Sequence, residues 1–392
     1  MNNKYVDLMR YTSKIEINSH AVKKNIKYLQ KRIGKNTKFT SVIKGNAYGH
    51  GIEQYLPLAE ESGLRSFAVS DSHEAEQALN VKRDDSEIII MYMIDNDELE
   101  WAIENDIAFY VFEFDRLENA ILAARKLKKK CKIHIELETG MNRTGFLESE
   151  IHKIIEKIKD NLEYISFEGL CTHFAGAESV ANYLRIKNQI TKFNKYKEIF
   201  KTLQLVPKNF HTACSAAVLT YPETIENMVR VGIAQYGYWP SAETRMYNLL
   251  TEDFKFSKDP LTRAIRWTTQ IMSIKEVKAG EFISYGTSYM APRNEKIAVI
   301  PVGYSHGYSR SLSNLGHVLI RGRKAAIIGM VNMNMLIANV SSIPFVRKGD
   351  EVVLIGKQGH QLISVSSFAD LANYVNYEML TRLPADIPRF VI

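Results

Sequence analysis

One short stretch of the chain could make and hold a reactive amine. Ser41-Val42-Ile43-Lys44-Gly45-Asn46-Ala47-Tyr48-Gly49-His50-Gly51 runs from small and apolar residues into one lysine, then into a flexible turn, a tyrosine and Gly-His-Gly. Residues 37–43, rich in β-branched and aromatic side chains, read as a β-strand. A strand that ends on lysine and breaks into glycines sets an amine at the mouth of a sheet. An amine withdrawn from water favours its neutral, nucleophilic form, which is what a carbonyl-condensing lysine needs. The plainer reading is a lysine whose stem lies along apolar surface with its head in water. Its company elsewhere favours chemistry. Arg143, His173, His211 and Arg230 also fall where strand-like runs end, and Tyr285 stands in the run Ile283-Ser284-Tyr285-Gly286-Thr287-Ser288-Tyr289.

Those residues need elements to carry them. The first two-thirds of the chain alternate between strand-like and helix-like periods. Residues 66–69, 87–91, 109–112, 131–137, 164–170, 210–212 and 228–232 read as strands. Residues 20–33, 72–79, 95–105, 115–127, 149–159 and 183–200 read as helices, the first marked by Val22, Ile26, Leu29 and Ile33. Seven or eight such βα units predict a (β/α)8 TIM-like barrel, an α/β fold whose strand carboxyl ends carry the site. After about residue 250 helix is scarce. Short strands are expected at 267–277, 281–284, 296–302, 317–320, 324–328 and 351–355, giving a mostly-β C-terminal domain. The expected division is 11–250 and 251–392, with no internal repeat and no low-complexity linker.

The stretch Val42 to Gly51 resembles the pyridoxal-phosphate lysine motif of alanine racemases, and the resemblance extends from about Ile15 to Arg389. It implies pyridoxal 5'-phosphate as cofactor, bound through Lys44, and two bases on opposite faces of an amino-acid substrate: Lys44 and Tyr285, the latter reaching in from the partner subunit of a homodimer. His173, in Cys171-Thr172-His173-Phe174-Ala175, is similar to the family histidine that hydrogen-bonds that tyrosine. Arg230, in Met228-Val229-Arg230-Val231-Gly232-Ile233, is similar to the arginine facing the cofactor's ring nitrogen. An arginine cannot give up its proton, so it leaves that nitrogen unprotonated and weakens the electron sink. From residue type alone, a surface or ion-paired arginine stands equally open. The resemblance further implies phosphate contacts from Tyr48, Ser215 and the amides of Gly232 and Ile233, with His211 on or near the ring. It assigns the substrate carboxylate to Arg143 and to the partner's Met333 amide, and the entrance to Tyr304 and Arg310.

The chain departs from the family pattern in four places. A Met-Asp pair becomes Met333-Asn334. Glu136 stands where a carbamylated lysine often orients the carboxylate-binding arginine; it supplies a carboxylate directly or marks a plain packing change. Ala385 replaces a tyrosine that touches the phosphate, a loss of one hydrogen bond typically of about 1 kcal/mol. Met330 replaces an entrance arginine. The last two widen the pocket, so racemisation of alanine is the first expectation and a serine or broad-specificity racemase the second. A pyridoxal-phosphate decarboxylase would not need Tyr285 with His173, and non-catalytic barrels that share the lysine lack residues 251–392.

Composition agrees with a soluble globular protein. The 392 residues are 45% hydrophobic and 24% charged, in the ordinary range. Net charge is +7 with a pI near 9.0. The basic residues are scattered, and the densest run, Arg125 to Lys130, reads as a solvated helix end, so no nucleic-acid partner is expected. No apolar run approaches a membrane span and no signal-peptide core opens the chain, whose first ten residues read as polar and frayed. Cys131, Cys171 and Cys214 lack metal or redox spacing. They read as reduced core thiols of a cytoplasmic protein without a bound metal, and the resemblance ties its product to cell-wall precursors.

Overall fold

The computed structural model describes residues 11–251, 259–365 and 376–392. They form two compact units. One holds the described residues of His20–Ala47 and Tyr55–Arg263, the other those of Met1–Ser19, Tyr48–Gln54 and Ala264–Ile392. The first strand, β1 (Ser13–Ile17), therefore lies with the later residues.

The first unit is built on eight parallel strands: β2 (Lys38–Val42), β3 (Ser66–Asp71), β4 (Glu87–Met93), β5 (Ala108–Val111), β6 (Cys131–Glu136), β7 (Ile165–Cys171), β8 (Asn209–His211) and β9 (Met228–Val231). Their order is β8-β7-β6-β5-β4-β3-β2-β9. Beyond the end of β8 a parallel bridge joins Cys214 to Arg230, and the Arg230 amide donates to the Ala213 carbonyl at 3.0 Å, drawing the sheet into a TIM-like near-barrel. Strands covered on both faces must be apolar throughout. Phe67, Ala68 and Val69 of β3 and Ile88, Ile89 and Ile90 of β4 are all buried. The covering helices are amphipathic. Ser19–Ile33 buries Ala21, Val22, Ile26, Leu29 and Ile33, and Ile151–Lys159 buries its isoleucines.

The second unit is mostly β. One sheet runs β14-β13-β16-β10-β1-β18, with β17 paired to β16; the other runs β11-β12-β15. Here β10 is Ile265–Gln270, β11 Ser273–Val277, β12 Glu295–Ile300, β13 His317–Ile320 and β14 Arg323–Ala326. The remaining strands are β15 Leu336–Asn339, β16 Glu351–Gln358, β17 Gln361–Ile363 and β18 Arg389–Val391. Strand β1 pairs antiparallel with β10 and parallel with β18.

Two expectations need correcting. Residues 267–277 read as one strand but form two, because the hydrogen-bond partners change midway. The Ile271 amide donates to Asp350 and the Met272 amide to Val299, which hands the chain from one sheet to the other. Residues 281–284 form no strand. Phe282 makes only an isolated bridge to Met290, and Ser284 adopts a left-handed φ of 70°.

Candidate active site

Lys44 leaves the end of β2, and the backbone before it is fixed on several sides. The Ile43 amide donates to Ala68 of β3 at 2.8 Å. The Val42 carbonyl accepts from Gln235 Nε2 and from the Tyr236 hydroxyl, each at 2.9 Å, while Ser41 Oγ donates to Gln235 Oε1. The chain then turns with the opposite hand. Gly45, Asn46, Ala47, Tyr48 and Gly49 all have φ between 51° and 78°. For the non-glycine residues this costs roughly 1–2 kcal/mol each. Glu74 offsets part of that cost: its carboxylate accepts from the amides of Asn46 and Ser70, each at 2.9 Å. Burial pushes the Glu74 carboxyl up, against the pull of those amides. The turn throws the Lys44 amine toward the barrel rim, where it donates to the Tyr92 hydroxyl at 3.1 Å.

Arg230, on β9, is the buried centre of the rim. Nη1 donates to the His211 carbonyl and to His211 Nδ1; Nη2 donates to the carbonyls of Thr172 and Thr212. Four of its five N–H groups are thereby used. The fifth, on Nε, has no partner among the described residues. Because arginine only donates, His211 Nδ1 must accept, so the His211 proton sits on Nε2 and is given to His134 Nδ1 at 2.9 Å. Burial and then the Arg230 charge hold His211 neutral, well below its ordinary range. Burial, with Lys38 and Arg230, takes His134 down to about 3. Gly169 makes the pairing possible: a Cβ there would lie 2.1 Å from His134 Nδ1 and 2.6 Å from His211 Nε2.

Ser215 opens a short helix, and its Oγ accepts from the Gly232 amide at 2.9 Å. That amide, expected to face a phosphate, is committed to Ser215. The Ser215 hydroxyl proton and the neighbouring Ile233 amide have no such commitment among the described residues. His173 stands at the end of β7. Burial, followed by the charges of Arg230, Arg143 and Lys44, pushes it down to about 3, which keeps the ring neutral. Arg143 is exposed, and its guanidinium lies 5.3 Å from the Tyr92 ring centroid. Glu136 accepts from Thr144 Oγ1 at 2.8 Å. Among the described residues no ion pair joins it to Arg143; its carboxylate instead holds the residue that follows.

The other predicted residues lie in the second unit. Tyr285 is 72% exposed on the loop after Phe282. Ser284 Oγ pins that loop, donating to the Met330 carbonyl at 2.7 Å and to Asn332 Oδ1 at 3.0 Å. The Tyr304 amide donates to the Asn332 carbonyl and Ser305 to the Met333 carbonyl, so the loops bearing Tyr285, Met333 and Tyr304 are tied to one another. All three of those side chains are exposed. Arg310, also exposed, begins a 3-10 turn. Tyr48 is buried, its ring centroid 6.0 Å from that of Tyr377. Asn334 Nδ2 donates to Ser305 Oγ at 3.0 Å, and the carbonyl of exposed Ala385 accepts from Arg389.

Sequence reasoning missed Glu74, Tyr92 and His134. Asp71-x-x-Glu74 spells a capping box at a helix start, which hides the turn of Glu74 toward the lysine loop. Tyr92 falls one residue past the run read as a strand, which in the structure continues through it to Met93, and His134 sits inside a strand run, where aromatic residues are ordinary.

The profile described as alanine racemase, N-terminal domain, matches residues 17–240, and that of the C-terminal domain matches residues 264–391. The chain belongs to the alanine racemase family. Membership makes it an isomerase, an amino-acid racemase. An alanine racemase of Leptospira interrogans is 33% identical over 384 residues, covering 97% of this chain and 96% of its own. Alanine racemase 2 of Bacillus subtilis is 32% identical over 382 residues, covering 96% and 94%. The solved alanine racemase of Bacillus anthracis, with bound L-Ala-P, superposes with a TM-score of 0.88 at 30% identity, covering 97% of this chain and 95% of its own. That of Bartonella henselae, with covalently bound pyridoxal phosphate, does so with a TM-score of 0.81 at 25% identity, covering 97% and 100%.

Proposed function

We propose that the chain interconverts L- and D-alanine with pyridoxal phosphate held covalently by Lys44. The observation that carries this reading is the rim itself: one strand-end amine, a buried arginine with a single uncommitted N–H, and a buried neutral histidine. The donor set fits the cofactor. Lys44 supplies the amine, the Arg230 Nε–H suits a ring nitrogen that stays unprotonated, and the Ser215 hydroxyl with the Ile233 amide suits a phosphate dianion. When bound, the cofactor supplies the electron sink for the carbanion left by loss of the α-proton.

The residues do the rest. Arg143, exposed at the rim, meets the substrate carboxylate and fixes the α-carbon between two faces. Lys44 moves the proton on one face. Tyr285 of a second copy moves it on the other, with the neutral ring of His173 as its hydrogen-bond partner, and the Met333 amide of that copy completes the carboxylate site. A homodimer is therefore the active form. The enzyme works in the cytoplasm, where the free thiols Cys131, Cys171 and Cys214 stay reduced.

The test is to mix the cofactor-loaded protein with L-alanine, L-serine or L-lysine in heavy water and resolve the products on a chiral column. Deuterated D-alanine as the dominant product supports the reading. Faster D-serine or D-lysine, which Ala385 and Met330 favour by widening the entrance, moves the assignment to a broader racemase. No D-isomer from any of the three refutes it. Within this mechanism, Tyr285→Phe lowers kcat/KM for alanine by about 10³-fold, the scale of a lost acid–base group, with cofactor content unchanged. A rate within threefold of wild type would remove Tyr285 from the mechanism.

A further inference from the structure

Tyr92 lies at the end of β4, and its hydroxyl is the acceptor for the Lys44 amine at 3.1 Å. The amine nitrogen is also 4.7 Å from the ring centroid, and the Arg143 guanidinium is 5.3 Å from the same centroid. One phenol therefore meets both the base and the carboxylate anchor that the proposed mechanism uses in this unit. The strand end beneath it is fixed from behind. Arg116, buried on the helix Phe114–Leu127, donates through Nη1 to the Tyr92 carbonyl at 2.8 Å and through Nη2 to the Ile94 carbonyl at 3.1 Å. A tyrosine that merely filled space would need neither its hydroxyl on the lysine nor its ring face toward the arginine.

We propose that Tyr92 is a positioning residue of the site: its hydroxyl holds the amine of Lys44 and its ring holds the guanidinium of Arg143, setting base and carboxylate anchor at a fixed separation. This rests on the racemase reading above. A lysine side chain carries much rotamer freedom, and a 1 Å error in aim at a reacting atom is expensive in rate. A fixed acceptor on the rim would keep the free amine aimed at the α-carbon while it acts as base. The ring acts separately, through cation–π attraction for Arg143 that a phenyl ring retains. The electrostatics agree: burial pushes the phenol up, but the charge and hydrogen bond of Lys44, with the charge of Arg143, outweigh it and leave the hydroxyl below its ordinary value.

The test uses full-length wild type, Tyr92→Phe and Tyr92→Ala. In the loaded enzyme Tyr92→Phe should lower kcat for alanine about tenfold, one hydrogen bond to a charged group, with KM within twofold. Tyr92→Ala should raise KM as well, because the ring is gone. The independent readout is the ultraviolet phenolate titration of cofactor-free protein. Wild type minus Tyr92→Phe should isolate a single phenol titrating below the ordinary tyrosine range, and Lys44→Met should move that phenol upward. An unchanged kcat in Tyr92→Phe, or a phenol indifferent to Lys44→Met, overturns the proposal. If wild type itself racemises nothing, the functional reading falls and the catalytic half of this proposal with it. The Lys44-sensitive titration still decides whether the phenol holds the amine.

Discussion

Lys44→Ala is expected to lower racemisation of alanine by at least about 10⁴-fold, because under the proposed mechanism one substitution removes both the covalent tether of the cofactor and the base on one face. The fold should survive. The backbone at this point is held by Ala68, Gln235, Tyr236 and Glu74 rather than by the lysine side chain, whose hydrogen bond goes to Tyr92. Melting temperature should accordingly change little. The direct check is reduction with borohydride followed by peptide mass spectrometry. Wild type should carry the cofactor mass on the peptide containing Lys44, and the variant should carry none. Retention of more than about 1% of activity in the variant, or the mass on another lysine, would show that the amine of this site lies elsewhere.

The second large effect is on stability. In Arg230→Met, His211 Nδ1 and the carbonyls of Thr172, His211 and Thr212 lose a common donor inside the barrel. An unpaired buried acceptor costs about 1–3 kcal/mol, and partial relaxation brings the sum for such a cluster to roughly 3–5 kcal/mol. The cofactor-free protein should melt on the order of 10 °C lower. Arg230→Lys should recover little of this, since one ammonium cannot reach four acceptors spread around a planar fork. His211 would also lose the bond that fixes its tautomer, and the bond to His134 would no longer have a defined direction. Calorimetry of the two variants settles the matter. A Met variant within 2 °C of wild type, an interval roughly equal to 1 kcal/mol or less, would mean that the rim does not depend on this side chain.

The barrel was legible because buried parallel strands advertise themselves as unbroken apolar runs, and because glycine and polar residues mark where each run reaches the rim. The helix Ser72–Leu79 and the strand His317–Ile320 fall where periodicity alone put them. What failed did so for want of local information. Residues 267–277 are β-formers throughout, so only the distant carbonyls of Asp350 and Val299 reveal where one sheet hands over to the other. Strand β18 gives no signal of its own, because its pairing partner is β1. At the site the same contrast holds. Lys44 was visible through its glycines, while Glu74 was hidden by a motif that would serve equally well as an ordinary helix cap. Tyr92 was hidden because the strand was read as ending at residue 91 and runs on to Met93, and nothing in that run says that the ring will meet two cations.

The pairing of β1 also fixes an order of events during synthesis. Ile15 leaves the ribosome well before its partners, for it pairs with Trp267 of β10 and Arg389 of β18, and both Ile15 and Ile17 end fully buried. At about 5–20 residues per second, the last of these partners follows on the order of tens of seconds behind. Through that interval the strand is an apolar edge with nothing to pair with, the condition that invites association with other chains. Its alternate residues answer this. Lys14 and Glu16 bring opposite charges to the other face, paired at 2.7 Å in the finished sheet, where Arg266 joins Glu16 at 2.6 Å. Charges of this kind oppose premature pairing of a waiting strand, and in the folded sheet Arg266 of β10 holds the same carboxylate across the strands.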